Sequence, residues 1–567
     1  MEYSGKFSYF FRKYSFIRAV CAVLIIALVF SIVLVVSFKH RTVPEIESIN
    51  PPVGSPGDIV VIKGKNFGDV RDMSYVEFAG SKLTASSYIS WQDDAIKLVL
   101  PSNVQDGLVV VGVKNHRSEP ALFANEVDIP VPVTETFQTT KPVISSLSST
   151  KLEVGSLLSI YGNNFGASRG QSKVYFTCDY DKVVSSAEFV TSNLLLGNMI
   201  PASEFDNDYE YWNNNEIRVH VPDGACSGYV VVDTGREKSD PVDFTVNSPA
   251  GTKSYDSKKI YLINYSADIS DVVTTDSSTI TLRCPVPKIL PAQPSLEITE
   301  ILPSPILQNY QGCIIHQITR NRNNSPKSVF RQTFAVSVYE INSDVKSAKV
   351  GGYKNMNQSL YNQYTSPDQI VKSDDDAVIE LANTIVGKET NAYKKARLIY
   401  DYMINNYSLT GKLRKDDANP LDLLSSSSGD AYDYAVIFTA LARAAGIPAL
   451  VDCGILIGQD LSVQAHWWNE IYIGGFGWLP VDVSIADGLE YKRWTDNFES
   501  VEYYFGNLDS HHLVFSRGYN EIKPFAQDNK TVKYPKSFAL QNIWEEASSN
   551  TAKYSSYWSV PSIKGVY

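Results

Sequence analysis

The stretch "LLSSSSGDAYDYAVIFTALARAAGIPALVDCG", Leu423 to Gly454, predicts a loop, a helix and a strand. Apolar side chains recur in it at the i, i+3, i+4 spacing of a buried helical face, at Tyr434, Ala435, Phe438, Leu441 and Ala442. We expect the helix to begin at Asp430–Ala431 and to be ended by Gly446 and Pro448. Amide dipoles at a helix start stabilise a thiolate, so this position is typical of a cysteine nucleophile, yet it holds Ala431.

Length and charge limit the classes of function. The chain has 567 residues, which at roughly 150 residues per domain predicts about three to five domains. Its formal charge of -11 and its pI near 5.3 argue against a nucleic-acid partner or a surface for anionic lipids, since both need clustered basic residues.

The segment Ala19–Phe38 contains no charged residue. At about 1.5 Å per residue it is long enough to cross a hydrocarbon core of about 30 Å, so we predict a transmembrane helix. Basic residues dominate the side before the segment, at Lys6, Arg12, Lys13 and Arg18. This bias predicts a single-pass signal anchor with residues 1–18 in the cytoplasm and the chain after residue 40 exported to the periplasm or cell surface. An atypical cleaved signal peptide is the alternative.

Five cysteines lie outside the apolar segment: Cys178, Cys226, Cys284, Cys313 and Cys453. The first two fall within one predicted domain and the next two within another, so an oxidising compartment would allow two disulfides. The sequence does not determine their connectivity. Cys453 remains, on an apolar strand, and a buried structural thiol is the simplest interpretation.

Two copies of one unit follow the apolar segment. "IKGKNFG" at Ile62–Gly68 returns as "IYGNNFG" at Ile160–Gly166, and "WQDDAIKLVLP" at Trp91–Pro101 returns as "WNNNEIRVHVP" at Trp212–Pro222. Alternating apolar and polar residues between Gly, Pro and Asn clusters predict short antiparallel strands of a sandwich. These motifs resemble IPT/TIG domains, over residues 44–133 and 141–248. The resemblance implies an immunoglobulin-like fold used for spacing, self-association or ligand binding, without catalytic residues.

The remaining chain predicts two further domains and a tail. Residues 255–350 alternate as strands, which predicts a third, differently built β-sandwich. Residues 366–490 predict helices, the first capped by Ser373, followed by an antiparallel sheet, which is an α+β domain. The role of the C-terminal extension, residues 491–567, stays open. The predicted fold is thus multidomain, with a transmembrane helix, two immunoglobulin-like sandwiches, a β-rich domain and an α+β core.

Two polar residues on neighbouring predicted strands are candidates for acyl-transfer chemistry. His466 lies on one strand and Asp482 on the next, with Gly474-Gly475 as the turn between them. Such a pair could serve as the base and its orienting acid, the roles that accompany a thiol or hydroxyl nucleophile.

The motifs "GDAYDYAVIFTALARAAGIPA", "HWWNEIYIGGFGWLPVD" and "NPLDLL" resemble the transglutaminase-like superfamily, whose fold is related to papain-type cysteine proteases. The resemblance covers about residues 366–490. It implies that His466 matches the general base and Asp482 the orienting acid. Ala431 falls where the family has its cysteine.

Three explanations for the missing thiol remain open. The chain could be a pseudoenzyme, it could use a displaced nucleophile such as Ser428 or Cys453, or the natural residue at position 431 could be Cys. His466 and Asp482 also have a purely structural interpretation, because a buried imidazole needs a partner for its ring N–H.

Aromatic residues near the pair also admit two interpretations. Core packing and the wall of a binding groove both suit Trp467, Trp468, Trp478 and Tyr434. His511-His512 has no Cys or His at metal-ligand spacing nearby, so we predict no metal site and no cofactor.

Our leading hypothesis is a membrane-anchored, extracytoplasmic pseudoenzyme of the bacterial cell envelope that binds a peptide, protein or cell-wall peptide in the former active-site groove. The alternatives are an active peptidase, amidase or cross-linking enzyme and a surface scaffold or adhesin without a ligand. Assay of the purified protein beside its Ala431→Cys variant would separate them.

Overall fold

The computed structural model describes residues 43–101, 107–114, 116–125, 141–180, 198–274, 277–320, 328–354, 356–492, 499–525, 528–549 and 551–567. They divide into two compact units, one with residues 43–83 and 87–125 and the other with the rest. The predicted transmembrane helix Ala19–Phe38 lies outside the described residues. Among those residues, no helix has both the length and the apolar composition that crossing a membrane requires.

The first repeat is a sandwich of two sheets. One sheet has the order β1-β3-β7-β6, and the other has the order β2-β10-β8-β4-β5 with β9 beside β8. Apolar side chains such as Ile62, Phe67 and Val111 fill the space between them. The strands are β1 (Glu45–Asn50), β2 (Val53–Gly54), β3 (Ile59–Lys65), β4 (Tyr75–Phe78), β5 (Ser81–Lys82), β6 (Tyr88–Trp91), β7 (Ala95–Val99), β8 (Gly107–Val113), β9 (His116–Arg117) and β10 (Ala121–Asn125).

The second repeat has the same arrangement. Its sheets have the orders β11-β13-β17-β16 and β12-β19-β18-β14-β15. The strands are β11 (Val143–Leu147), β12 (Lys151–Leu152), β13 (Leu157–Asn163), β14 (Lys173–Cys178), β15 (Met199–Pro201), β16 (Tyr209–Trp212), β17 (Glu216–His220), β18 (Ala225–Asp233) and β19 (Val242–Val246).

The repeated motif has the same physical cause in both copies. A Cβ on Gly64 would lie 1.9 Å from the carbonyl oxygen of Glu45, and a Cβ on Gly162 would lie 1.9 Å from that of Val143. Only glycine permits this close backbone approach, which accompanies a bulge in the first strand of each repeat. The indole N–H of Trp91 donates to the Phe67 carbonyl, and that of Trp212 donates to Phe165, each at 2.9 Å.

Two long strands form the centre of the third β-rich domain. β20 and β25 pair antiparallel over most of their length and form the centre of one sheet. The strands here are β20 (Gly251–Thr274), β21 (Ser278–Pro285), β22 (Ser295–Leu302), β23 (Leu307–Tyr310), β24 (Cys313–Arg320) and β25 (Ser328–Val345).

The α+β core follows. Its helices are α1 (Gln358–Thr365), α2 (Asp376–Val386), α3 (Ala392–Asn406), α4 (Asp422–Ser426), α5 (Ala431–Ala444), α6 (Val483–Ala486) and α7 (Ser500–Tyr503). Its strands are β26 (Ser408–Leu409), β27 (Ser428–Gly429), β28 (Ala449–Ile457), β29 (Val463–Ile473), β30 (Gly477–Val481) and β31 (His512–Arg517). The main sheet has the order β30-β29-β28-β31.

Two boundaries of the α+β core differ from the predicted ones. The domain starts earlier, because α1 lies before Ser366, and it extends past residue 490, because β31 completes the sheet. The cap of α2 is also Asp375 rather than Ser373, since the Asp375 carboxylate accepts the Ala377 amide at 2.9 Å. Three acidic residues in succession, Asp374 to Asp376, made the cap position ambiguous from sequence alone.

The C-terminal segment completes the β-rich domain. Its strands are β32 (Lys530–Val532), β33 (Glu545–Ala547), β34 (Thr551–Trp558) and β35 (Ser562–Val566). β34 and β35 pair with β20, which gives the sheet β22-β25-β20-β34, and β33 extends the sheet β23-β24-β21-β33-β32. Trp544 is buried in the core between the two sheets. The sandwich therefore contains residues 251–345 and the end of the chain, not residues 255–350 alone.

The two disulfides that the sequence allows are not formed, and all five cysteines of the described chain are free thiols. Strand register explains this. Cys178 pairs with Ala225, so Cys226 points to the opposite face of the sheet. Cys284 pairs with Ile314, so Cys313 likewise points away from it. Cysteines that are close in the fold are thus separated by the thickness of a sheet.

Candidate functional site

The site begins at the first turn of α5. The Asp430 carboxylate accepts the Asp433 amide at 3.0 Å, and the Asp433 carboxylate accepts the Asp430 amide at 2.9 Å, which together form a capping box. Arg414 binds Asp433 with Nε and Nη2 at 2.6 and 2.9 Å. Ala431 follows this cap as the first helical residue and is 5% exposed. The predicted helix start is therefore correct, and it is buried.

Contacts along α5 seat the helix on β29. The Asn469 side chain donates to the Ala435 carbonyl at 2.8 Å, and the Tyr432 and Trp467 rings meet edge to face at 5.6 Å. Tyr432 precedes Ala435 on the helix, and their partners Trp467 and Asn469 follow each other in the same order on the strand. The first turn of α5 therefore lies toward the end of β29 that carries His466.

The structure brings His466 and Asp482 together. The His466 Nε2–H donates to Asp482 Oδ2 at 2.6 Å, and both side chains are fully buried. Asp482 follows β30 and caps α6, where its Oδ1 accepts the Ser484 hydroxyl and the Ile485 amide, each at 2.9 Å. These bonds fix the carboxylate, so the imidazole is held in one tautomer with Nε2 as the donor.

The other ring nitrogen of His466 has no hydrogen-bond partner in the part of the chain that the structure describes. Its Nδ1 is buried and makes no hydrogen bond to any described residue. Buried polar atoms are nearly always paired, so an orphan beside a fixed Asp–His pair calls for an explanation. In an acyl-transfer site the free nitrogen of the base faces the nucleophile.

Sequence reasoning missed a second histidine in the same cluster. His512 Nε2–H donates to Asp482 Oδ2 at 3.2 Å, and its Nδ1–H donates to Asp509 Oδ1 at 2.8 Å. Asp509 in turn accepts the Tyr504 hydroxyl at 2.7 Å. His512 lies on β31, which joins the sheet beside β28, and no local motif predicts that strand order. The only sequence signal is the pair His511-His512, which has no Cys or His nearby at metal-ligand spacing.

The charges of this cluster are strongly coupled. Burial alone would raise the pKa of Asp482, but the charges and hydrogen bonds of His466 and His512 outweigh it and hold that pKa well below its usual range. Burial alone would lower the pKa of His512, but the carboxylates of Asp509 and Asp482 raise it to about 9. His512 is therefore an imidazolium at neutral pH, between two carboxylates.

The structure also assembles a donor set that the sequence did not predict. One donor atom from each of His466, Asp482 and His512 lies within 4.8 Å of the other two, and all three residues are buried. Our expectation that His511-His512 lacks metal-ligand partners was wrong for His512, because the partners come from other strands.

The groove interpretation of the aromatic residues is not supported. Trp467, Trp468 and Trp478 are each 1% exposed and Tyr434 is fully buried. Trp468 stacks on the His466 ring at 5.8 Å, and the Tyr434 hydroxyl donates to Asp487 at 2.6 Å. These side chains are therefore part of the core, because both faces of the sheet are covered by other elements.

Neither displaced nucleophile is placed to act. Cys453 pairs with Trp467, whereas Gly454 pairs with His466, so the thiol and the imidazole point to opposite faces. The thiol donates to the Ser537 carbonyl at 3.2 Å, and burial raises its pKa well above the usual value. Among the described residues, no hydrogen bond joins Ser428 to His466.

A cavity of about 40 Å³ lies against the cluster. Its lining includes His512, Asp509, Trp468, Asp452, Glu470 and Arg517. Arg517 pairs with Glu470 at 2.6 Å and with Asp206 of the second repeat at 3.1 Å. Burial and the nearby Glu470 carboxylate raise the pKa of Asp452 well above its usual value. The ion pairs join the second repeat to the core behind the candidate site.

Comparison with known families agrees with the fold and the motifs. Residues 379–483 match the model of the transglutaminase-like superfamily, and residues 44–124 and 142–246 match that of the IPT/TIG domain. The chain contains a transglutaminase-like core domain and two IPT/TIG domains.

Individual relatives match only parts of this chain. An uncharacterized protein from Haemophilus influenzae is 31% identical over 180 residues, which are 27% of this chain and 48% of that protein. A cyclomaltodextrin glucanotransferase from Paenibacillus macerans is 40% identical over 74 residues, 13% of this chain and 10% of the enzyme. The chain therefore spans about half of the first relative and a tenth of the second.

Solved structures show weak overall similarity. The periplasmic domain of TgpA from Pseudomonas aeruginosa is 15% identical, with 40% of this chain and 86% of that chain covered and a TM-score of 0.24. A candidate cysteine protease from Cytophaga hutchinsonii is 15% identical, with 55% and 93% covered and a TM-score of 0.35.

Proposed function

We propose that this chain, with its transglutaminase-like core domain and two IPT/TIG domains, is a transglutaminase-like pseudoenzyme. The observation that carries the proposal is Ala431, which stands as the first residue of α5, where the family has its cysteine. A methyl group cannot attack a carbonyl carbon. Cys453, the one thiol of the core, points to the face opposite His466, and its raised pKa keeps it protonated.

The rest of the catalytic arrangement supports descent from an acyl-transfer site. His466 and Asp482 keep the base and orienting-acid geometry at 2.6 Å, and His466 Nδ1 is left without a partner. In an acyl-transfer site, the partner of that nitrogen is the thiol at the helix start. The unpaired Nδ1 is thus the feature expected if the nucleophile was lost while the other two residues stayed.

The proposed activity is binding rather than catalysis, with a peptide, protein or cell-wall peptide as the ligand. The buried tryptophans do not form the contact surface, so the ligand would meet the outer surface of the core or of the IPT/TIG domains. We further propose that Ala19–Phe38 anchors the protein in the membrane, with the bulk of the chain outside the cytoplasm. The IPT/TIG domains would then hold the core away from the membrane.

A second candidate function is acyl transfer, with a cysteine as the natural residue at position 431. The orphan His466 Nδ1 beside an intact Asp482 favours this candidate over a purely architectural protein. Amide hydrolysis or amine transfer would then proceed through a thioester, with His466 as the base.

One experiment tests the acyl-transfer arrangement on which both candidates rest. The full-length protein, its Ala431→Cys variant and the double variant Ala431→Cys with His466→Gln are assayed for amide hydrolysis and amine transfer on a peptide library. We expect turnover only from Ala431→Cys, because the new thiol needs His466 as its base. Turnover by the unchanged protein would refute the pseudoenzyme proposal. If the single and double variants are equally inert, the pair is not a functional remnant and the proposal of a former acyl-transfer site is wrong.

A further inference from the structure

We propose that His466, Asp482 and His512 form a binding site for a divalent transition-metal ion, of which Zn²⁺ is the best match. The three residues lie on β29, directly after β30 and on β31, and they offer one donor atom each, with all three atoms within 4.8 Å of one another. Two imidazole nitrogens and one carboxylate oxygen are ligands that zinc accepts. This inference does not depend on the pseudoenzyme proposal.

The donor spacing is close to what an ion requires. Tetrahedral coordination with bonds of about 2.05 Å places neighbouring ligand atoms about 3.3 Å apart. The distance from His512 Nε2 to Asp482 Oδ2 is 3.2 Å, which already fits. The 2.6 Å between His466 Nε2 and Asp482 Oδ2 must widen by about 0.7 Å, a shift that side-chain rotation can supply.

The surrounding hydrogen bonds match those of known metal sites. A metal-binding histidine usually donates its other ring N–H to a carboxylate, which fixes the ring and the tautomer. His512 Nδ1–H donates to Asp509 Oδ1 at 2.8 Å in this way, so its Nε2 faces the cluster. The second oxygen of Asp482 is held by Ser484 and Ile485, which leaves Oδ2 for the ion.

Charge also favours a cation here. Asp482 and Asp509 place two carboxylates in the protein interior, where their side chains are 0% and 12% exposed. Buried charges need compensation, and in this structure the His512 imidazolium lies between the two carboxylates. A divalent ion bound to Asp482 would take over this role, with the proton of His512 Nε2 released to solvent and that of His466 carried on Nδ1.

Space for a further ligand is present. The cavity of about 40 Å³ touches His512, Asp509 and Trp468. A water molecule needs roughly 10–15 Å³ of such space, so the cavity can hold water beside His512, although His466 and Asp482 do not line it. Because the ion would use His466 and Asp482, metal binding and service as a base for acyl transfer exclude each other at this site.

The test measures metal binding directly. The untagged full-length protein is stripped with chelator and titrated with Zn²⁺ and with Co²⁺, and bound metal is counted by elemental analysis and by the visible absorption of Co²⁺. We expect one ion per chain. His512→Gln should weaken binding at least about 100-fold, and Asp509→Asn about 10- to 100-fold. His511→Gln is the matched control, because His511 is not one of the three ligands and its ring hydrogen-bonds the Tyr261 hydroxyl, and it should bind nearly as the unchanged protein does.

His466→Gln provides a second ligand variant in case His512→Gln does not fold, since it leaves the Asp482–His512–Asp509 contacts in place. It should also lose at least about 100-fold in affinity. The proposal is overturned if the unchanged protein takes up no stoichiometric metal, or if the folded ligand variants bind as tightly as the His511→Gln control.

Discussion

The ion pair between Lys536 and Asp430 should control the stability of the start of α5. Lys536 Nζ lies 2.6 Å from Asp430 Oδ2, and both side chains are 1% exposed. Lys536 belongs to the C-terminal segment, whereas Asp430 caps the helix immediately before Ala431. Replacing one partner of such a buried pair leaves the other charge uncompensated and costs about 3–5 kcal/mol. Lys536→Met should destabilise α5 by that amount.

Amide hydrogen exchange of α5 is the suitable assay, because it reports local stability in a protein with several domains. A loss of about 3–5 kcal/mol corresponds to exchange faster by about 10²- to 10⁴-fold. The double variant Lys536→Met with Asp430→Ser should recover part of the loss, since it removes the lone charge and keeps a side chain that can cap the helix. Lys533→Met is the matched control on an exposed neighbour and should change the stability by less than about 0.5 kcal/mol.

The reasoning would be refuted by either of two results. One is Lys536→Met exchanging at the rate of the Lys533→Met control. The other is a double variant as unstable as the sum of the two single variants, which would show that the two residues do not interact.

Three other predictions concern the scaffold around the site. Burial lowers the pKa of His316 to about 4, so its stabilising contribution is present above the unfolded pKa of 6.5 and is lost as the pH falls toward 4. Over that range β24 should lose up to about 3 kcal/mol of protection from hydrogen exchange. His316→Gln should flatten this dependence of protection on pH. Gly454→Ala should prevent β28 from pairing with β31, because the new Cβ would lie 1.8 Å from the Leu513 carbonyl oxygen; near-ultraviolet circular dichroism like that of the unchanged protein would contradict this. All five cysteines outside Ala19–Phe38 should alkylate after denaturation without reductant, and a mass spectrum with a linked Cys178–Cys226 or Cys284–Cys313 pair would show that the register is wrong.

Several features of this protein follow from local sequence. The apolar spacing from Tyr434 to Ala442, with Gly446 and Pro448 as its end, predicted α5, which runs from Ala431 to Ala444. The repeated Gly64 and Gly162 marked two copies of one sandwich, because a close backbone approach tolerates no other residue. The absence of a nucleophile at position 431 was also evident, since a helix start is set by contacts within a few residues.

Other features depended on contacts between distant parts of the chain. The strand order put β31 beside β28, which brought His512 to Asp482 and completed a cluster that no spacing rule predicts. The end of the chain pairs with β20 and completes the β-rich sandwich, although no local motif in that segment predicts which strand it pairs with.

The register of strand pairing determined on which face of its sheet each of these cysteines lies, because one step along a strand moves a side chain to the other face. The same alternation separated Cys453 from His466. Local hydrogen bonding and periodicity therefore determined the helices and strands, and the sequence itself shows Ala at position 431. Only the tertiary structure decided which side chains share a face, since strand order and register are set by the packing of the whole core.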